Sequence, residues 1–264
     1  MKVVVFSGGA PLQLTEDGQP VPKPMVRIGL QPVLWHVMRI HASVGLTDFV
    51  LCLGRGADVI KSYFLEYEEA LSNDFVLSGP QRTVRLLHSD MDRWRITFAD
   101  TGRQAPVLQR LRAVRKLLVD EDLFCASYGD VLTDAPLGRY LEDFRGRSEL
   151  AAVLAVRPRG GAALLDVDAG GLVASVTSLE NDDRWMAGGY FFFRRGIFDH
   201  LVDDSMLQGL LPRLAAAGQL RAYHHDGFWS GMDSLRDVQL LNALIESGRA
   251  PWAHADSESG RRSA

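Results

Sequence analysis

The chain has 264 residues, enough for one large α/β domain, and its 47% hydrophobic and 23% charged residues are ordinary for a globular protein. A net charge of −4 and a pI near 6.0 argue against a nucleic-acid-binding domain, which normally carries a strongly basic face. No stretch approaches the ~20 apolar residues of a membrane span, and only Lys2 precedes the first strand-like run. We therefore expect no membrane segment, no cleaved signal peptide and a cytoplasmic location. Cys52 and Cys125 lie in apolar runs, which indicates buried free thiols.

Short apolar runs alternate with helical patterns in the first half of the chain, which predicts a mainly parallel sheet. The predicted elements are a strand over Val3 to Phe6, a helix from Pro32 to Gly45, a strand over Phe49 to Leu53 and a helix over 58–71. Between Ser72 and Asp100, the runs Val84 to His88 and Arg95 to Ala99 alternate as strands of an antiparallel excursion would.

The second half of the chain continues this alternation. The predicted elements are a basic helix over Leu108 to Leu118, strands over Leu123 to Tyr128, Leu150 to Val156 and Tyr190 to Phe193, and a helix over Gln208 to Ala217. No internal repeat and no linker divides the chain. We therefore expect one domain over residues 1–248, followed by a polar, disordered tail over 249–264.

Asp130 is the best single candidate for a functional residue. It follows a predicted buried strand and Gly129, so its carboxylate should lie at the carboxyl edge of the sheet, where open α/β folds bind ligands. An ordinary turn aspartate is an equally good interpretation of this local pattern. Asp134, in the same loop, is better explained by capping or turn formation.

Asp233 is the second candidate, in the loop that precedes the predicted helix from Leu235 to Leu244. Either Asp233 or Ser234 could instead be the N-cap residue of that helix. Two carboxylates from distant loops suit Mg²⁺, which takes one or two protein carboxylates and leaves its other positions to water and phosphate oxygens.

Several strings of the sequence occur in the order typical of one enzyme family. They are Ser7-Gly8-Gly9, Pro22-Lys23-Pro24-Met25, Pro32-Val33-Leu34-Trp35-His36-Val37-Met38, Trp94-Arg95-Ile96-Thr97, Asp100-Thr101-Gly102 and Ala187-Gly188-Gly189-Tyr190. With the loops around Asp130 and Asp233, this run of motifs resembles the sugar-1-phosphate nucleotidyltransferases, most closely the glucose-1-phosphate cytidylyltransferase branch. The similarity extends from residue 1 to about residue 245.

This resemblance implies a single Rossmann-like α/β domain of the GT-A type, with a mostly parallel sheet flanked by helices and a small antiparallel excursion. It implies transfer of a nucleotidyl group, with CTP favoured as donor, to a sugar 1-phosphate with release of pyrophosphate. Mg²⁺ is the implied cofactor, and a homo-oligomer is compatible with the resemblance. Such a reaction depends on positioning and charge neutralisation more than on acid–base groups.

The resemblance also implies roles for individual residues. The implied catalytic residues are Lys23, Asp130 and Asp233, with the two aspartates holding Mg²⁺ and Lys23 neutralising phosphate charge. The implied nucleotide-binding residues are Gly8, Gly9, Lys23, Thr101, Arg110 and Gly129. The local pattern leaves other interpretations open, since Lys23 could be a solvated lysine between prolines and Arg110 a solvated residue of a basic helix.

The opening loop departs from the family pattern, in which it reads Gly-Gly-x-Gly-Thr-Arg-Leu. Here Pro11 replaces a glycine and removes an amide donor, Leu12 replaces a hydroxyl, and Gln13 replaces an arginine. Losing a charge-assisted contact of this kind typically costs a factor of ~10² or more in rate.

Two further departures lie elsewhere in the chain. Val131 replaces a glycine after Asp130, and Ser178-Leu179-Glu180 replaces a Glu-Lys-Pro string whose lysine would contact the sugar phosphate. Arg184 or Lys61 could compensate for that lysine.

Three functional hypotheses follow from the sequence. The retained Lys23, Asp130 and Asp233 favour an active or substrate-shifted nucleotidyltransferase. The rebuilt opening loop favours an impaired homologue that binds a nucleotide or a sugar nucleotide, or that regulates a partner subunit. A nicotinamide-dependent oxidoreductase is the weakest hypothesis, because the first glycine turn lacks the Gly-x-Gly-x-x-Gly pattern.

Overall fold

The structure is a computed structural model that describes residues 1–8, 15–16, 19–157, 163–167, 170–178, 184–201 and 207–253. Its strands are β1 (Lys2–Phe6), β2 (Thr15–Glu16), β3 (Gln19–Pro20), β4 (Arg27–Ile28), β5 (Gln31–Pro32), β6 (Asp48–Leu53), β7 (Phe75–Ser78), β8 (Thr83–Leu86), β9 (Arg95–Asp100), β10 (Leu123–Tyr128), β11 (Val131–Thr133), β12 (Ala151–Val156), β13 (Ala163–Val167), β14 (Val173–Ser178), β15 (Met186–Arg194), β16 (Leu220–His225) and β17 (Trp229–Gly231). Its α-helices are α1 (Val33–Ser43), α2 (Ala57–Leu65), α3 (Glu69–Ser72), α4 (Val107–Ala113), α5 (Leu137–Arg145), α6 (Leu207–Ala216) and α7 (Leu235–Glu246).

A central sheet of seven strands has the order β16-β12-β15-β10-β1-β6-β9. Every neighbouring pair in it is parallel except the two pairs that β15 makes with β10 and β12. The carboxyl ends of the other strands therefore meet at one edge, and β15 begins at that same edge. The expected mostly parallel α/β architecture is confirmed.

The run that begins at Arg95 lies in a different place from the one expected. Instead of joining an antiparallel excursion, β9 pairs in parallel with β6 and forms the edge of the central sheet. Its side chains explain this placement, since Ile96 and Phe98 pack against the hydrophobic core that contains side chains of α1 and α7. Between Ser72 and β9, the described antiparallel pair is β7 with β8.

Two predicted helices are shorter than expected. The region over 58–71 is divided into α2 and α3, and the helix over Leu108 to Leu118 ends at Ala113 and continues as a 3-10 turn over Arg115–Leu118.

Two hydrophobic cores cover the two faces of the central sheet. One contains side chains of α1 and α7, and the other contains side chains of α4 and α6. Strand β15 contributes side chains to both cores, because Phe192 faces the first core while Phe191 and Phe193 face the second. These aromatics therefore pack in the two cores. Cys52 and Cys125 are buried free cysteines, which confirms that prediction.

The folded part of the chain extends beyond the boundary expected at residue 248. Ala250 and Trp252 are buried in the first core, and a 3-10 turn spans Pro251–Ala253. The rest of the expected tail, residues 254–264, lies outside the described residues. Among the described helices, none is long and apolar enough to cross a membrane.

Candidate active site

Three charged side chains from distant parts of the chain meet at the carboxyl edge of the sheet. The ammonium of Lys23 lies 3.1 Å from Oδ2 of Asp130 and 2.5 Å from Oδ1 of Asp233. Lys23 begins a 3-10 turn over Lys23–Met25, in which Pro22 precedes it and Pro24 follows it. Proline on both sides limits the backbone freedom of this turn and so helps to hold the lysine in place.

A short antiparallel ladder brings the two aspartates together. Strand β11 follows Asp130, strand β17 ends two residues before Asp233, and Val131 pairs with Gly231 between them. The amide of Met232 donates to the carbonyl of Asp130 at 3.0 Å, which closes the ladder. Both aspartates therefore lie at the same end of the β11–β17 pair.

Partial burial and charge act against each other in this cluster. Burial acts to lower the pKa of Lys23, but attraction and hydrogen bonds from the two carboxylates outweigh it and raise that pKa. Burial also raises the pKa of Asp130, and Asp233 adds to this shift, while Lys23 offsets only part of it. The ionised form of Asp130 would therefore gain from any further positive charge brought to this site.

The alternative capping role of Asp233 is excluded by the start of α7. The N-cap residue is Ser234, whose hydroxyl accepts a hydrogen bond from the amide of Asp237, and the Asp237 carboxylate accepts from the amide of Ser234. The Asp233 side chain, 78% exposed, points to Lys23 instead.

Asp134 links the two loops of the site. Its Oδ1 accepts hydrogen bonds from the amide of Phe228 at 2.7 Å and lies 2.8 Å from Nε2 of His225. This carboxylate therefore has a long-range structural role, which is more than the turn formation expected from the sequence.

The two aspartates offer the type of donor atom that a hard divalent cation takes. Mg²⁺ needs only one or two protein carboxylates when water and phosphate oxygens supply the rest. Within the described residues, no group of three or more His, Cys, Asp and Glu side chains could hold a metal ion. Asp130 and Asp233 thus suit a cation that arrives with phosphate, and not a site closed by protein ligands alone.

Arg110 is buried. The interpretation of Arg110 as a solvated residue of a basic helix is therefore wrong. Its side chain is 2% exposed, and its Nη1 donates to the carbonyl of Leu53 and to the hydroxyl of Thr101, both at 2.9 Å. Thr101 in turn donates to the same carbonyl at 2.8 Å. The structure therefore brings two of the predicted nucleotide-binding residues into direct contact.

Two glycines make room for this buried guanidinium. A Cβ atom added at Gly8 would lie 2.4 Å from Nη1 of Arg110, and one added at Gly54 would lie 2.7 Å from the same atom. Gly8 follows β1 and Gly54 follows β6, so the cation lies at the carboxyl edge between two adjacent strands. Gly54 was not among the predicted site residues, although its position directly after an apolar run was a usable signal.

Gly129 is packed against the end of β1. Its amide donates to the carbonyl of Phe6 at 3.1 Å, and an added Cβ would lie 3.1 Å from Oγ of Ser7. Gly9 and the altered positions Pro11, Leu12 and Gln13 lie outside the described residues, as do Leu179 and Glu180.

The aromatic pair before Asp233 is partly buried. Phe228 and Trp229 both pack against the first core, and the indole N–H of Trp229 donates to the carbonyl of Gly188 at 2.8 Å. This bond ties the loop that carries Asp233 to the start of β15.

The fold places the chain in a known structural class. HddC from Yersinia pseudotuberculosis superposes with a TM-score of 0.65 at 16% identity, covering 92% of this chain and 99% of that one. A Bacillus anthracis protein described as a putative glucose-1-phosphate thymidylyltransferase gives a TM-score of 0.66 at 14% identity, covering 92% of this chain and 94% of that one. The fold is that of the nucleotidyltransferases.

Sequence relatives then define the family. The glucose-1-phosphate cytidylyltransferase of Salmonella typhi is 33% identical over 254 residues, which cover 96% of this chain and 98% of the relative. A probable glucose-1-phosphate cytidylyltransferase of Bacillus subtilis is 30% identical, over 96% of this chain and 99% of the relative. No protein-family model matches the chain. The chain belongs to the sugar-1-phosphate nucleotidyltransferase family.

Proposed function

We propose that this protein transfers a nucleotidyl group, with CTP as the favoured donor, to a sugar 1-phosphate and releases pyrophosphate. The observation that carries this proposal is the convergence of Lys23, Asp130 and Asp233 at the carboxyl edge of the sheet. The preference for CTP and for glucose 1-phosphate rests on relatives named as glucose-1-phosphate cytidylyltransferases.

In this proposal, Asp130 and Asp233 hold a divalent cation, taken to be Mg²⁺, through their carboxylate oxygens. The bound ion would neutralise the charge of the triphosphate. Lys23 would then exchange its contacts with the carboxylates for phosphate oxygens, which it can bind as a point charge. The raised pKa of Lys23 supports this role, because the side chain keeps its positive charge near neutral pH.

Arg110 and Thr101 form the nucleotide side of the proposed site. The guanidinium is already held by the Leu53 carbonyl and the Thr101 hydroxyl, so little conformational entropy is lost when a nucleotide binds. Burial lowers the pKa of Arg110, although an arginine remains charged in proteins. A buried cation at a sheet edge attracts an anion or a polar base. In this proposal, Gly8 and Gly9 let the backbone of the opening loop approach the nucleotide, and Gly129 contacts it.

A pyrophosphate-release assay tests the proposal. Wild-type protein is incubated with Mg²⁺, glucose 1-phosphate and each of the four common nucleoside triphosphates in turn. We expect release that requires the sugar phosphate, is fastest with CTP and stops when the metal is chelated. No release with any triphosphate, over a panel of sugar 1-phosphates, would contradict the proposed activity.

We further propose that the chain forms a homo-oligomer through the hairpin of β7 and β8. Apolar side chains exposed in this region are Leu71, Phe75, Val76, Leu77, Val84 and Leu87. A two-stranded hairpin is marginally stable alone, and several large apolar side chains left exposed on one hairpin are typical of an interface. Light scattering after size exclusion should show an oligomer that Leu77→Glu dissociates. A monomeric wild-type protein would contradict this assignment.

A further inference from the structure

The backbone that carries Asp130 is held from two sides. The carbonyl of Asp130 accepts a hydrogen bond from the amide of Met232 at 3.0 Å, at the end of the β11–β17 ladder. Successive carbonyls of an extended strand point in opposite directions, so the carbonyl of Val131 points away from β17. That carbonyl accepts a hydrogen bond from the hydroxyl of Tyr190 at 2.7 Å. The two peptide units that follow Asp130 are therefore each fixed by a different part of the chain.

Tyr190 is itself held firmly in the first core. Its side chain is 1% exposed, and it pairs across the sheet with Ser127 of β10, the strand that ends two residues before Asp130. The ring centroid of Tyr190 lies 5.4 Å from that of His41 in α1, and Nε2 of this histidine lies 3.0 Å from the Ser127 hydroxyl. Because a buried ring packed in this way has few accessible rotamers, the Tyr190 hydroxyl is a fixed point for the loop.

The side chain at position 131 adds to this constraint. The chain has Val131 where the resemblance expects a glycine, and valine lacks the backbone freedom of glycine. The valine also packs beside β15, since a Cβ added at Gly189 would lie 3.5 Å from Cγ2 of Val131. The residue after Asp130 is thus held through its side chain as well as through its carbonyl.

The two proposed metal ligands differ in how firmly they are placed. The Asp130 side chain is 22% exposed and that of Asp233 is 78% exposed, so Asp233 is the more adjustable of the two. Two carboxylates held close together repel each other, and a loose loop would relieve this repulsion by moving one of them away. The position of Asp130 therefore depends on the contacts that hold its backbone.

We propose that Tyr190 is a positioning residue for the divalent cation: its hydroxyl, through the carbonyl of Val131, holds the Asp130 carboxylate in the orientation that binds the ion. The inference rests on the proposed function, in which Asp130 and Asp233 hold Mg²⁺. A ligand oriented in advance loses less conformational entropy when the metal binds, so metal affinity rises. The hydroxyl acts through the backbone, and its effect falls on metal affinity and not on the chemical step.

The test removes a single oxygen atom. Tyr190→Phe keeps the ring and loses the hydroxyl. Tyr140→Phe is the matched control, because the Tyr140 hydroxyl also donates to a backbone carbonyl, that of His224 in the edge strand β16, at 2.9 Å. Mn²⁺, which takes the same oxygen ligands as Mg²⁺, is titrated into each protein alone and with CTP, and free Mn²⁺ is measured by electron paramagnetic resonance. The melting temperature of each variant is recorded.

We expect Tyr190→Phe to weaken Mn²⁺ binding about tenfold, the lower end of the effect of removing a group that holds a metal ligand in place. Pyrophosphate release should then need more Mg²⁺ for its half-maximal rate, while the rate at saturating Mg²⁺ stays close to that of the wild type. Tyr140→Phe should leave both metal measurements unchanged, whatever its effect on the melting temperature.

If Tyr190→Phe does not fold, hydrogen exchange of the wild-type protein decides. A loop that Tyr190 holds in place predicts equal protection of the β11 amides with and without Mg²⁺. Protection of these amides that appears only when Mg²⁺ is added would overturn the inference, because the metal would then be what orders the loop.

Three results with the folded variants also overturn the inference. One is a lower melting temperature of Tyr190→Phe with unchanged Mn²⁺ affinity, which would leave any pyrophosphate release by the wild type standing. The second is an equal loss of affinity in Tyr140→Phe, and the third is a wild-type protein that binds no Mn²⁺ with or without CTP. By contrast, Mn²⁺ binding that depends on Tyr190 in a protein that releases no pyrophosphate supports the inference while the proposed transferase activity fails.

Discussion

The ammonium of Lys23 lies 2.5 Å from Oδ1 of Asp233, although 210 positions separate the two residues in the chain. The same ammonium contacts Asp130, so one cation bridges two carboxylates that would otherwise repel each other. The lysine thereby stabilises an arrangement of acidic groups that a divalent cation could also satisfy.

Replacing this lysine should impair catalysis more than folding. We expect Lys23→Gln to lower kcat/KM for pyrophosphate release by about a hundredfold or more, because a positioned charge on the phosphates is lost. Lys116→Gln, at an exposed lysine, is the control and should leave the rate unchanged. Wild-type turnover in Lys23→Gln would show that the lysine only pairs with the aspartates.

The space around Arg110 offers a second prediction. Gly54→Ala would place a Cβ 2.7 Å from the guanidinium, so the side chain must move and lose its bonds to Leu53 and Thr101. We expect a stability loss of about 1–3 kcal/mol, measured by urea unfolding, together with weaker nucleotide binding.

A double-mutant cycle checks that explanation. In an Arg110→Met background, Gly54→Ala should cost much less, since the clashing guanidinium is absent. Gly146→Ala is the control, because its φ is −80° and an added Cβ would meet its nearest neighbour at 3.6 Å. If Gly54→Ala lowers the free energy of unfolding equally in both backgrounds, the clash with Arg110 is not the cause of the loss.

The opening loop provides a third prediction, drawn from the sequence resemblance. Restoring the family pattern by Pro11→Gly, Leu12→Thr and Gln13→Arg should raise triphosphate affinity and the transferase rate, because a cation and an amide donor return. Gln13→Arg alone should do less, since Pro11 remains. Brisk wild-type turnover that the triple substitution abolishes would indicate adaptation to another substrate.

Acid sensitivity should arise in part from a buried histidine. Burial lowers the pKa of His41 from 6.5 to about 3, and its Nε2 lies 3.0 Å from the hydroxyl of Ser127. The unfolded chain binds the proton first, so this contribution to stability is complete above pH 6.5 and is lost as the pH falls toward 3. The loss should amount to several kcal/mol.

The free energy of unfolding, measured between pH 7.5 and 4, tests this origin. We expect His41→Leu to flatten the pH dependence, with some slope retained because burial also lowers the pKa of His36. His200→Gln, at an exposed position, should keep the wild-type slope. An unaltered slope in His41→Leu would assign the acid sensitivity to other groups.

Local sequence signals were sufficient for much of the fold. The strand Leu123–Tyr128 was predicted to its exact bounds, because an apolar run followed by Gly129 and Asp130 leaves little choice of structure. Periodicity could not place β9, since a strand has the same alternation whether it pairs in a hairpin or along a sheet edge. Its parallel pairing with β6 depends on residues far away in the chain.

The sequence by itself determined which side chains are able to carry the chemistry: Lys23 between prolines, and aspartates after glycine-containing turns. Only the tertiary structure decided that Asp233 faces Lys23 while Ser234 caps the helix. It also decided that Arg110 is buried rather than solvated. The physical reason is that burial and charge pairing are properties of a three-dimensional neighbourhood, whereas a local string specifies only backbone preference and side-chain type.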